Sequence, residues 1–144
     1  MSLLKIVTSP LASVEPSATV MEAVEVMAET GVGAVAVLDG GKLAGIFTER
    51  DVMLRVVLRS KSPQQTKVGE VMTAKVETVT DDTSEEDALV HMVERHIRHL
   101  VIVGRNGDVK AVLSIRHLLE HRMDELAREL HSIDQYLSND GPGG

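Results

Sequence analysis

The chain has 144 residues, 15 basic and 22 acidic side chains, a net charge of −7, and 1% aromatic content, with Phe47 its one Phe, Tyr136 its one Tyr and no Trp. This length holds one ordinary domain or two very small ones. The acidic balance and the missing aromatic platform argue against nucleic-acid binding. Zero cysteines exclude disulfides and thiolate chemistry, and no apolar run approaches the roughly 18 residues of a membrane helix. A cytoplasmic protein is expected, with a core of Val, Leu, Ile, Met and Ala.

An extended segment over Val7 to Val14 comes first. A helix follows, opened by Thr19 with Glu22 three residues on, a capping-box spacing. Its apolar positions, Val20, Ala23, Val24 and Met27, form the stripe of a helix with one buried face. Gly31 is a stop signal. Gly33 to Leu38 and Leu43 to Phe47 read as strands, joined by the hairpin turn Asp39-Gly40-Gly41-Lys42. A second helix starts near Thr48. The polar stretch from Arg59 to Lys67 reads as a linker.

The pattern then repeats. Lys5-Ile6-Val7-Thr8 aligns with Glu70-Val71-Met72-Thr73 at an offset of 73 − 8 = 65. The alignment continues with Ser13-Val14 over Thr78-Val79, Ala23 over Ala88, Met27 over Met92, and Ala34 to Val37 over His99 to Ile102. After one inserted residue, Ile46 to Asp51 lies over Val112 to His117. The second copy has an extended segment over Val76 to Thr80 and a weaker helix start at Ser84 with Asp87. Its hairpin turns at Arg105-Asn106-Gly107-Asp108, and its closing helix starts near Ser114. The expected division is unit 1 over 1–60, a linker over 61–68, unit 2 over 69–120, and a C-terminal segment over 121–144. A unit of this size buries too little surface to be secure alone, so two units sharing one core through their sheets are expected.

The chain resembles a tandem pair of CBS (cystathionine β-synthase-type) domains, a Bateman module. The resemblance rests on Gly45-Ile46-Phe47-Thr48-Glu49-Arg50-Asp51, on His96-Ile97-Arg98-His99-Leu100-Val101-Ile102, and on Val71-Met72-Thr73, in that arrangement and duplicated. It implies an α+β fold of two pseudo-two-fold related β-α-β-β-α units with a C-terminal helix. It also implies regulation by AMP, ADP, ATP or S-adenosylmethionine bound in inter-unit clefts, and no catalysis. Each cleft would combine the Thr/Ser-x-x-Asp of one unit with the extended segment and first hairpin strand of the other.

An ionised Asp51 can accept both hydroxyls of a ribose, and Thr48 can reach the sugar or phosphate. The same spacing also suits a helix N-cap. Arg50 and Arg116 suit phosphate oxygens, or a solvated first turn. By resemblance, the Asp51 cleft would also include Met72, Thr73, Lys75, Val76, Ile97, Arg98 and His99. There Ile97, Met72 and Val76 would sandwich an adenine, while Arg98 and Lys75 met phosphate. Plain core packing is the competing reading of Ile97 and Met72. The second cleft would combine Ser114 and His117 with Pro10, Leu11, Val32, Gly33 and Ala34. It reads as degraded, because a neutral imidazole at His117 offers one acceptor where a carboxylate offers two.

His117 and His121 have the i, i+4 spacing of a chelating pair, with no evident third ligand, so no metal site is expected. No nucleophile, base and orienter set appears. Leu119, Met123, Leu126, Leu130, Ile133 and Leu137 are spaced 4, 3, 4, 3, 4, a heptad seam suited to a homodimer. Ser138 to Gly144 reads as a frayed tail. The function expected is adenine-nucleotide sensing that modulates an unidentified protein partner. The alternative is a scaffold with vestigial clefts, working through the C-terminal helix.

Overall fold

The computed structural model describes residues 2–139. It holds two three-stranded sheets, each with its hairpin paired to a short parallel strand. In the first sheet β1 (Ser13–Val14) lies beside β2 (Ala34–Asp39), which pairs with β3 (Lys42–Thr48). In the second, β4 (Thr78–Thr80) lies beside β5 (His99–Val103), which pairs with β6 (Val109–Ser114). The register repeats with the sequence: Ser13 faces Ala36 and Thr78 faces Val101, at offsets of 78 − 13 = 65 and 101 − 36 = 65. The extended segments expected over Val7 to Val14 and Val76 to Thr80 shorten to β1 and β4.

Helix α1 (Val20–Thr30) follows β1, and α4 (Glu85–Arg95) follows β4. The hydroxyls of Thr19 and Ser84 accept hydrogen bonds from Glu22 N and Asp87 N at 3.1 and 3.0 Å. The cap expected to be weaker is therefore as well formed as the other. Both helices end on a left-handed residue, Gly31 at φ 69° and His96 at φ 56°. His96 adopts this conformation against the cost of its Cβ, of order 1 kcal/mol. The closing helix of unit 1 begins as α2 (Glu49–Asp51) and widens into a π-helix over Val52–Val57. The closing helix of unit 2 is α5 (Ile115–Asn139), of 25 residues. It runs into the expected frayed tail as far as Asn139, and the rest of that tail lies outside the described residues. No described helix is long and apolar enough to cross a membrane.

The expected single core is three clusters. Val35, Val37, Phe47, Val20, Ala23 and Met27 form the core of unit 1. Leu100, Ile102, Leu113, Ala88, Met92 and Leu118 form that of unit 2. Between the sheets Ala34 and Ile46 meet Val101, with Val76, Val103, Val109 and Val112 around them. Strands β2 and β5 therefore bury alternate residues on opposite faces, one towards their own helices and one towards the other unit.

The units also exchange their leading turns. The 3₁₀ turn Leu3–Lys5 brings Leu3 and Ile6 into the core of unit 2. Helix α3 (Val68–Val71) brings Val68 and Val71 into the core of unit 1. Both pairs are related by the repeat offset, since 68 − 3 = 65 and 71 − 6 = 65. Each core is thus completed by a turn lying beside the other unit in sequence.

Candidate functional site

Strand β3 ends at Thr48, whose extended backbone caps α2. Thr48 Oγ1 accepts from Asp51 N at 3.2 Å, and Asp51 Oδ2 accepts from Thr48 N at 3.1 Å. The capping box read from the spacing is therefore present, and it fixes the Asp51 carboxylate without using all its acceptor capacity. Thr73, from the segment leading into unit 2, donates its hydroxyl to Asp51 Oδ1 at 3.1 Å. Thr73 and Ile46 exchange backbone hydrogen bonds of 2.9 Å in each direction. Gly45 permits this approach, because a Cβ there would lie 2.7 Å from both Met72 Sδ and Thr73 O.

Arg55 lies one helical turn beyond Asp51, and its i, i+4 spacing is the one sequence signal that marks it. Its Nε lies 3.6 Å from Asp51 Oδ1, and its Nη1 donates to Met72 O at 2.8 Å. It therefore ties the closing helix of unit 1 to the leading segment of unit 2. A cavity of about 230 Å³ lies on its flank, lined by Arg55, Arg59, Lys61, Glu70 and Val71. Three cations against one carboxylate suit this cavity to anions.

The structure thus brings Thr48, Asp51, Met72 and Thr73 together. Met72 also leans on the core of unit 1, and Val76 packs in the cluster between the sheets. Arg50, Lys75 and Arg98 are exposed. Ile97 packs against the core of unit 2, as its core-packing reading expects. His99, assigned by resemblance to the Asp51 cleft, has the ionisable side chains of His117 and Arg98 as electrostatic neighbours.

In the second cleft His117 takes the place of a capping carboxylate. Its Nδ1 accepts from Ser114 N at 3.0 Å, and Ser114 Oγ accepts from His117 N at 3.2 Å. That use of Nδ1 places the ring hydrogen on Nε2, 3.2 Å from Ser9 Oγ. Ser9 thus reaches His117 across the units as Thr73 reaches Asp51, although sequence reasoning chose its neighbours Pro10 and Leu11, which are exposed. The imidazole has spent its one acceptor on the cap and offers only a donor across the cleft. A ribose diol, which needs acceptors, finds none on it.

Val32 packs in the core of unit 1 and Ala34 in the central cluster. Gly33 accepts from Glu49 N at 3.0 Å, and the Glu49 carboxylate covers it. Arg116 pairs with Glu120 at 2.7 Å on the outer face of α5. The two histidines expected as a chelating spacing part company: His117 faces Ser9, whereas His121 faces Glu85 and Glu125.

Burial, with His117 and Arg98 adding to it, pulls the His99 imidazole down to about 4. Burial lowers His117 also, opposed by Glu120 and aided by Arg116. For His99 the sign is definite. As the pH falls below the ordinary value of 6.5, the unfolded chain takes up a proton that the folded chain refuses until about pH 4. Stability is therefore expected to fall over that window, by about 2 kcal/mol at pH 5 from this residue. Urea unfolding at pH 7 and pH 5 checks this, with His99→Gln losing less stability between the two than the wild type.

The CBS domain family matches residues 4–58 and 68–124. The chain belongs to the CBS domain family. A mitochondrial CBS domain-containing protein of Arabidopsis thaliana is 34% identical over 124 residues, covering 83% of this chain. The CBS pair described here spans 60% of that relative's length. A solved CBS-domain protein from Burkholderia ambifaria matches with a TM-score of 0.80 at 34% identity, over 86% of this chain and 95% of that one. A CBS domain protein from Pyrobaculum aerophilum, solved in complex with AMP, matches with a TM-score of 0.74 at 26% identity, over 81% of this chain and 89% of that one.

Proposed function

We propose that this CBS pair is a cytoplasmic regulatory module, without catalytic activity, that binds an adenine nucleotide or adenosyl compound at the Thr48–Asp51 cleft and modulates a protein partner. One observation carries the reading. Asp51 is buried at 8% exposure with its cap made, and its Oδ1 is directed across the units at the Thr73 hydroxyl, with Arg55 alongside. A ribose diol arriving there exchanges the Thr73 hydroxyl for its own. Met72, Val76 and Ile97 are the aliphatic side chains this reading assigns to the adenine in place of an aromatic platform, and Arg50, Lys75 and Arg98 are exposed and available to phosphate. The AMP complex of the Pyrobaculum relative supports the ligand class. Because the cleft is built from both units, a ligand that prefers one inter-unit arrangement shifts the population towards it. Calorimetric titration with AMP, ADP, ATP and S-adenosylmethionine in turn tests the reading. Heat from none of the four excludes it.

The reading includes a homodimer through α5. Leu118 anchors the first turn of that helix in the core of unit 2. Beyond it Leu119, Met123, Leu126, Leu130, Ile133 and Leu137 are all between 44 and 68% exposed. Val90 and Val93 on α4 are also exposed apolar side chains. A second copy of the same helix fits a heptad seam of this kind. The double variant Leu126→Glu, Leu130→Glu is expected to give the monomer mass by light scattering while leaving nucleotide binding in place. A dimer mass unchanged by it removes the seam from this role. The same exposed row favours the scaffold reading, which predicts a dimer that no adenine ligand stabilises.

A further inference from the structure

Two carboxylates from different helices converge on one ring nitrogen at the junction of α4 and α5. His121 Nδ1 lies 3.1 Å from the Glu85 carboxylate and 2.9 Å from Glu125 Oε1. A ligand atom from each of the three residues can be chosen so that all lie within 4.8 Å of one another. The side chains are only 22%, 22% and 31% exposed. Glu85 opens α4, while His121 and Glu125 are one turn apart on α5.

From this geometry we propose that Glu85, His121 and Glu125 form a site for a zinc-class divalent cation that staples α5 to α4. An imidazole nitrogen carries at most one hydrogen, so it cannot serve two carboxylates fully. The nearest cation beyond the cluster, Arg122, reaches only the outer oxygen of Glu125, at 3.4 Å. A divalent ion satisfies all three groups at once. Zinc bonds of about 2.0–2.2 Å to nitrogen and oxygen place tetrahedral ligand atoms about 3.4 Å apart, a small expansion of the two distances to His121 and within the 4.8 Å that bounds the three groups. One imidazole and two carboxylates are a donor set suited to Zn²⁺ rather than to Ca²⁺ or Mg²⁺, which favour all-oxygen shells. Three protein ligands leave the fourth position to water, and the partial exposure of the cluster admits it. On binding, His121 ligates through Nδ1 and carries its hydrogen on Nε2.

The consequence is mechanical. Past Leu118, the described polar ties between α5 and the body of unit 2 are those of His121 to Glu85. An ion there fixes the direction in which the apolar seam projects, independently of the nucleotide cleft. Equilibrium dialysis of the full chain against Zn²⁺, with metal quantified by emission spectrometry, tests the proposal. The wild type is expected to retain about one zinc ion per chain. Glu85→Gln and Glu125→Gln are each expected to weaken retention about tenfold or more, and His121→Ala to abolish it, with helical circular dichroism showing each variant folded. His131→Ala, on the exposed outer part of α5, serves as the control and is expected to retain the ion. No zinc on the wild type, or retention unchanged in folded Glu85→Gln and His121→Ala, overturns the proposal.

Discussion

Replacing Leu3 by alanine is expected to destabilise the fold by about 2–5 kcal/mol, the range for truncating a buried leucine. Residues so near a terminus are ordinarily tolerant of change. Leu3 is 1% exposed and packs with Val79, Met92, Leu100 and Leu113, none of them within 70 residues of it in sequence. Its backbone is tied down as well. Leu3 N donates to Asp81 O at 3.1 Å, Leu4 N donates to Asp81 Oδ1 at 2.8 Å, and Ser2 Oγ donates to the same carboxylate at 2.6 to 2.7 Å. The hydrogen bonds from Ser2 and Leu4 hold the Asp81 carboxyl below its usual range. The loss should therefore be felt in unit 2 first. Urea unfolding measures its size, and hydrogen exchange its location, with amides of α4 and β5 losing protection ahead of those of α1 and β2. A loss below about 0.5 kcal/mol, typical of a surface substitution, contradicts the exchange of leading turns.

Much of this architecture is legible in the sequence because it is written twice. The offset of 65 that aligns Thr8 with Thr73 reappears as the strand register and as the paired helix ends at Gly31 and His96. The exchanged turns are not legible. Leu3–Lys5 and Val68–Val71 are too short to show a helical period, and Val68 falls in what reads as linker. The capping box at Thr48 is local, and spacing alone finds it; the matching Ser114–His117 pair is local too, but a His in the capping position hides it. Their cross-unit partners, Thr73 and Ser9, depend on how the two sheets meet, which no local pattern encodes. The same limit applies to His99, one of whose electrostatic neighbours, His117, is distant in sequence. It explains the metal ligands too, since His121 and Glu125 are visible as a helical pair but Glu85 arrives from another helix.

Loss of Asp51 is expected to have the largest effect on ligand binding. Two charge-assisted hydrogen bonds to a ribose are together worth about 3 kcal/mol, so Asp51→Ala should weaken an adenine nucleotide roughly a hundredfold or more. The substitution also removes half of a capping box, about 1 kcal/mol of stability, and the partner of Arg55. Asp51→Asn keeps the cap and the shape but not the charge, and separates the two effects. It should melt close to the wild type while binding weakly. In the wild type, nucleotide at a hundred times its Kd should stabilise the fold by about 2.7 kcal/mol through mass action alone. His117→Ala should leave the nucleotide affinity within about twofold, because the His117 imidazole has no acceptor left to give the sugar.

The central claim is that the working cleft is the one containing Asp51. Isothermal titration calorimetry with AMP, run on the wild type, Asp51→Asn and His117→Ala, tests it most directly. The account predicts binding by the wild type and by His117→Ala, and little or none by Asp51→Asn. Binding that survives in Asp51→Asn and disappears in His117→Ala contradicts it.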